Sequence, residues 1–144
     1  MAVATSGGEL PVYWNGRIVP AGEARPRALA PGFLYGESLF ETMLDREGSV
    51  FALGEHLDRL LAGARRLGWR LGAGRAELAA AIRATVEPVR ASGLVAPGEW
   101  LRVRLTVACA SEWAYGARGV CGAEPWEGAA PDPFDVLVSA VPYR

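Results

Sequence analysis

GFLYGESLFET runs from Gly32 to Thr42, and EHLDRL follows from Glu55 to Leu60. From Ser38 to Asp45 the chain alternates. Leu39, Glu41, Met43 and Asp45 fall on one face, and Phe40, Thr42 and Leu44 on the other, the period of a strand. Beyond Phe51 the period changes. Leu53, Leu57, Leu60, Leu61, Ala64 and Leu67 recur every three or four residues, which is the apolar stripe of an amphipathic helix. Gly68 stands where a left-handed residue usually ends such a helix. A strand handing over to a helix through Glu47-Gly48 and a short partner around Val50-Phe51 is the nucleus from which the fold is read.

Working outward, Asn15-Gly16 separates Val12–Trp14 from Arg17–Val19. This is a hairpin signal, because both turn residues tolerate positive φ. Pro20, Pro26 and Pro31 mark residues 20–32 as a loop. Arg75 to Ala91 fits a second helix, which Pro88 is expected to kink or shorten. From Trp100 to Ala108, Leu101, Val103, Leu105 and Val107 alternate with Arg102, Arg104 and Thr106, again as a strand. Residues 110–133 are rich in Gly, Ala and Pro and show no element. Phe134 to Val141 is β-branched and apolar, as an interior strand requires. The order β-β-β-β-α-α-β-β predicts an α+β, two-layer domain, a mainly antiparallel sheet with two helices on one face. Residues 1–10 read as a loose tail and residues 11–144 as one domain.

Composition narrows the partners. Of 144 residues 51% are hydrophobic and 22% charged, which is globular rather than disordered. A formal net charge of −1 gives nucleic acid or an anionic membrane no electrostatic footing. No apolar run is long enough to span a bilayer. The first residues lack the basic-then-apolar pattern of a signal peptide, so a cytoplasmic location is expected. Cys109 and Cys121 have neither CxxC spacing nor a histidine cluster, and two reduced thiols are expected. His56 is the only histidine and builds no metal site alone.

With WNGRIVP (14–20) added ahead of them, GFLYGESLFET and EHLDRL resemble the N-terminal domain of the fold-type IV, or class IV, pyridoxal-phosphate enzymes. These are the branched-chain and D-amino-acid aminotransferases and aminodeoxychorismate lyase. The resemblance implies pyridoxal phosphate as cofactor. It also implies amino-group transfer to a 2-oxo acid, or the related lyase reaction. In that family a lysine on the second domain holds the cofactor through its amine. This chain has 15 basic residues, all of them Arg. DVLVSAVPYR (135–144) is similar to the strand just before that lysine, so the C-terminal catalytic-lysine domain is expected to be absent, with the chain inactive alone.

The resemblance assigns roles residue by residue. Arg59, in the H-L-x-R-L segment, matches the arginine that binds the cofactor phosphate, a task suited to a planar fork of donors. An exposed helix Arg paired with Glu55 at i−4 is the plainer alternative. Tyr35 and Phe40 match aromatic residues that wall the substrate pocket, whereas Phe33 and Leu34 read as ordinary core. Glu41 reads as a structural carboxylate and not a base. Arg104, in LRVRLTV, matches a strand that lines the pocket and is placed to meet a substrate carboxylate. There the likeness breaks, since Ala108-Cys109-Ala110 replaces the family's T-R-G segment. Arg102 and Arg104 on a solvated sheet face is the competing reading.

Two functions remain open on the sequence. One is the cofactor-phosphate and substrate-pocket half of such an enzyme, partnered by itself or by a complementary C-terminal domain. The other is a non-catalytic dimerisation or interaction protein that keeps the fold.

Overall fold

The structure is a computed structural model that describes residues 9–110 and 133–143. Its elements follow the order β1 (Pro11–Trp14), β2 (Arg17–Pro20), α1 (Pro31–Leu34), β3 (Ser38–Arg46), β4 (Ser49–Val50), α2 (Leu53–Arg66), α3 (Arg75–Ala91), β5 (Trp100–Cys109) and β6 (Phe134–Pro142). Six antiparallel strands form one sheet in the order β2-β1-β6-β5-β3-β4. Both long helices lie on one face of it, as the two-layer α+β reading requires. The central ladder is long: β3 pairs with β5 from Ser38↔Ala108 to Arg46↔Trp100.

Alternation along the strands decides what is buried. Leu101, Val103, Leu105 and Val107 point under the helices and are fully buried, with Met43, Val138 and Ala140 beside them. The helices answer with Leu57 and Leu60 from α2 and with Leu78, Ile82, Val86 and Val89 from α3. Each such side chain contributes roughly 1.5–3 kcal/mol by leaving water. The other face of β5 carries the exposed Arg102 and Arg104.

Turns and caps behave as the sequence predicts. Asn15 and Gly16 take φ of 45° and 98° at the first hairpin. The Asn15 side chain then reaches sideways: its Nδ2 donates to Asp135 Oδ1 and its Oδ1 accepts from Val136 N–H, both at 2.8 Å. One residue therefore makes the turn and fastens the hairpin to β6. Gly68, at φ 71°, closes α2, with Trp69 N–H donating to Ala64 O at 2.9 Å. Trp69 is thereby turned inward, its ring centroid 4.9 Å from that of Phe134.

Several expectations are corrected. The loop 20–32 contains a 3-10 turn, Ala21–Glu23, and runs into α1. Leu10, expected in the loose tail, accepts a bond from Ala21 N–H, and Glu9 accepts one from Gly22 N–H. Residues 1–8 of that tail lie outside the described residues, as do residues 111–132 of the Gly/Ala/Pro-rich stretch. Pro88 does not shorten α3. It sits in the last turn, where it removes only one donor while its own carbonyl accepts from Ser92 N–H. Cys109 is disulfide-bonded and not a free thiol. Spacing arguments about metals and export do not bear on whether a buried sulfur meets another. Cys121 lies outside the described residues. No helix among the described residues is long and apolar enough to cross a membrane.

Candidate functional site

β3 puts two carboxylates among its inward positions, and each grips an arginine from the helix layer. Asp45 is fully buried, and its Oδ2 accepts from Arg90 of α3, whose Nε lies at 2.7 Å and whose Nη2 is also in contact. Arg90 Nη2 further bonds the Asp45 carbonyl at 3.2 Å. Nearer the other end of the strand, Glu41 is 5% exposed. Its Oε1 accepts from Arg59 Nε at 2.7 Å, and its Oε2 accepts from Arg59 Nη2. Oε2 also lies 2.8 Å from His56 Nδ1. An ionised carboxylate has no hydrogen to give, so His56 must carry its proton on Nδ1 in that contact.

The electrostatics follow from these bonds. The Arg59 hydrogen bond is the main cause holding the Glu41 carboxyl below its ordinary range. Burial opposes it, while the His56 bond and both partners' charges add to it. The same bond and the charge of Glu41 push Arg59 up, so its guanidinium stays charged. Arg59 is nevertheless 70% exposed in its side chain. It is fixed at the root and open to solvent at the tip.

Phe40, next to Glu41, points to the opposite face. There Arg104 lies over its ring, with the guanidinium carbon 3.7 Å from the ring centroid. This is a cation–π contact, set up by β3–β5 register that pairs Phe40 with Thr106 and Thr42 with Arg104. Tyr35 caps the end of α1, its N–H bonded to Pro31 O, with an exposed side chain. The structure thus brings Phe40 and Arg104 together and brings Arg59 together with Glu41 and His56. These two pairings lie on the two faces of one strand.

Three readings change. Arg59 pairs with Glu41, eighteen residues away in sequence, and not with Glu55. Phe33 and Leu34 are 65% and 48% exposed, so they are not core. In the single turn of α1 it is Pro31 that is buried, while Gly32 backs onto β5, where a Cβ would come within 2.8 Å of the Cys109 carbonyl oxygen. That leaves the next two side chains pointing out. Glu41 is the residue whose importance sequence reasoning missed. The signal was present: an acid on an otherwise apolar inward face must find donors.

Arg59 suits a phosphate, because the carboxylate occupies only one side of its fork. No group of three or more metal-ligating side chains occurs among the described residues. Nothing in the 144 residues supplies a lysine amine.

Comparison with known proteins bears on the fold. No family model matches the chain. A protein of Methanocaldococcus jannaschii, assigned as a branched-chain-amino-acid aminotransferase, is 39% identical over 56 residues, which is 39% of this chain and 19% of that protein. The branched-chain aminotransferase of Thermoproteus uzoniensis, solved with norvaline, superposes with a TM-score of 0.69 at 26% identity, over 95% of this chain and 42% of its own. The Escherichia coli branched-chain aminotransferase gives 0.65 at 22% identity, over 94% and 40%. A hypothetical aminotransferase from Mycobacterium tuberculosis in its PLP-bound form gives 0.68 at 20%, over 93% and 40%.

The fold is therefore that of an aminotransferase small domain, six antiparallel strands under two helices. The chain resembles the N-terminal portion of the fold-type IV, class IV aminotransferases. It spans about two fifths of the length of the solved relatives and 19% of the Methanocaldococcus protein.

Proposed function

We propose that this chain supplies the cofactor-phosphate and substrate-pocket half of a pyridoxal-phosphate-dependent class IV aminotransferase. The observation that carries the reading is Arg59. It is a charged, exposed guanidinium anchored to a buried strand carboxylate, in the segment whose family counterpart binds the phosphate. Phe40 and Arg104, stacked on the open sheet face, form the substrate side together with Tyr35. An aromatic wall with one cation fits an amino acid or 2-oxo acid, whose carboxylate needs a charge partner and whose side chain needs an apolar surface. The relatives' names favour amino-group transfer over the aminodeoxychorismate lyase reaction.

Pyridoxal phosphate, when bound, supplies the electron sink for chemistry at the amino carbon. This chain's residues bind and orient. Arg59 fixes the phosphate end, and Arg104 neutralises a substrate carboxylate while Phe40 shields it from water. The amine that holds the cofactor comes from outside these 144 residues, in a further stretch of polypeptide or another chain. A homodimer fits as well, because Phe33, Leu34 and Tyr35 expose apolar surface in one short segment.

The test is complementation. The chain alone should be colourless, bind pyridoxal phosphate at roughly millimolar strength and show no transaminase activity. Mixed with a lysine-containing C-terminal domain, it should gain both colour and turnover. Turnover by the chain alone, free of contaminating enzyme, refutes the division of labour. A stable complex without turnover favours the second reading, a non-catalytic interaction protein. That reading draws on Ala108-Cys109-Ala110 in place of the family's T-R-G segment.

A further inference from the structure

An arginine side chain has two edges that can meet an oxyanion with a pair of parallel N–H bonds. One is Nε with Nη2; the other is Nη1 with Nη2. In this chain Glu41 takes the first edge with both of its oxygens. β4 pairs with β3 only at Asp45 and Arg46, so among the described residues no strand lies beyond Glu41 on that side, and the guanidinium opens onto solvent there. What Arg59 presents outward is the second edge.

His56 completes the arrangement. It donates from Nδ1 to Glu41 Oε2, the oxygen that also receives Arg59 Nη2. Three donors hold the carboxylate, one on Oε1 and two on Oε2. Its orientation is then set from a buried strand, and the orientation of Arg59 is set from the carboxylate. His56 also passes within 3.3 Å of Arg59 Nη2. With the imidazole hydrogen committed to Glu41, both atoms are donors, so this is packing and not a bond.

The geometry points to Glu41 as the positioning residue of the phosphate contact. It holds the Nε/Nη2 edge of Arg59 and turns the Nη1/Nη2 edge toward a phosphate monoester, while His56 steadies the carboxylate. This rests on Arg59 being the cofactor-phosphate contact proposed above. It goes further by naming the edge used and the residues that select it. The rival is a clamp that only ties α2 to β3. Such a clamp would lose stability on substitution and leave ligand preference untouched.

Three measurements on the 144-residue chain separate these cases. The first compares the affinity for pyridoxal 5′-phosphate with that for pyridoxal, which lacks the phosphate, in the unsubstituted chain and in Arg59→Ala. The substitution should abolish the preference for the phosphorylated form. A preference that survives it overturns the Arg59 reading, and this inference with it.

The second makes the same comparison in Glu41→Gln and in Glu41→Asp, which keeps the charge but withdraws it by one methylene. Each should reduce the preference about tenfold, the scale on which loss of an orienting partner acts at other charged sites. If both variants keep the unsubstituted preference while Arg59→Ala loses it, Arg59 stands and the positioning role of Glu41 falls.

The third needs no variant and decides the matter if those variants do not fold. Nitrogen-resolved NMR of the Arg59 side chain is followed while inorganic phosphate is added. The Nη signals should move and the Nε–H signal should stay where its bond to Glu41 puts it. A phosphate-induced shift centred on Nε, with Glu41 displaced, overturns the edge assignment.

Discussion

Arg90→Met isolates the clamp that ties β3 to α3. In the folded protein Asp45 is completely buried, and its Oδ1 finds no hydrogen-bond partner among the described residues. Oδ2 depends on Arg90, with only a long 3.4 Å contact from Gly48 N–H besides. Removing Arg90 therefore strands a buried carboxylate. Breaking a buried pair in this way costs about 3–5 kcal/mol. Arg90 is 17% exposed in its side chain, so water can partly replace it, and the lower end, about 3 kcal/mol, is expected. Unfolding entropy near 2.1 cal/mol/K per residue gives roughly 0.3 kcal/mol/K for a chain this size, hence a fall in Tm of about 10 °C. Urea unfolding of Arg90→Met, Asp45→Leu and the double variant measures it as a cycle. The double variant should recover most of the loss, because an apolar pair strands no charge. A loss below about 1 kcal/mol in Arg90→Met, or a double variant no better than Arg90→Met alone, would show that the pair is solvated and the clamp idle.

Further predictions concern the site and its surroundings. The Glu41 carboxyl lies below its ordinary 4.5 in the folded state, so the unfolded state binds more protons as pH drops through that window. The stability advantage of the unsubstituted chain over Glu41→Gln should be full above about pH 5 and shrink as pH falls through the folded value; denaturation at pH 7 and pH 3 checks the sign. Asn15→Ala removes two side-chain bonds to β6 and puts a less tolerant residue at φ 45°, which should cost about 1–2 kcal/mol, read by chemical denaturation. Phe33→Ser with Leu34→Ser should weaken self-association of the chain in sedimentation velocity without lowering Tm, since both side chains are exposed. Leu39 packs against the core and should not contribute.

Much of the fold was legible because it rests on local periodicity. The alternation of Leu101 to Val107 and the stripe from Leu53 to Leu67 each have one burial solution, and Asn15-Gly16 fixes a hairpin with no long-range information. Strand order was not legible. Nothing local tells β6 to lie between β1 and β5, because that choice is made by side-chain packing and by Asn15 reaching Asp135, 120 residues away. α1 was missed for a related reason. A single turn has no period, and the requirement for Gly32 appears only when β5 is seen behind it.

The site divides along the same line. A motif gives the type of residue at a position, and Arg59, Tyr35, Phe40 and Arg104 were named that way. Partners across the fold are invisible to it, so the one side-chain partner offered for Arg59, in the plainer alternative, was Glu55 on its own helix, and Glu41 was left as a strand carboxylate. Glu41 and Asp45 had nonetheless announced themselves through period two. Acids spaced four apart on a buried face need donors or cations, and in an α+β domain the layer above that face is made of helices. Arg59 and Arg90, one from each long helix, are what β3 holds. The strand thus serves both layers at once. Its inward acids fasten the helices, one of them leaving an arginine tip in solvent, while outward Phe40 meets Arg104 one residue along. A shift of β3 by a single residue would exchange these roles and bury Phe40 while exposing Glu41, so the paired carboxylate clamps also protect the register on which the proposed site depends.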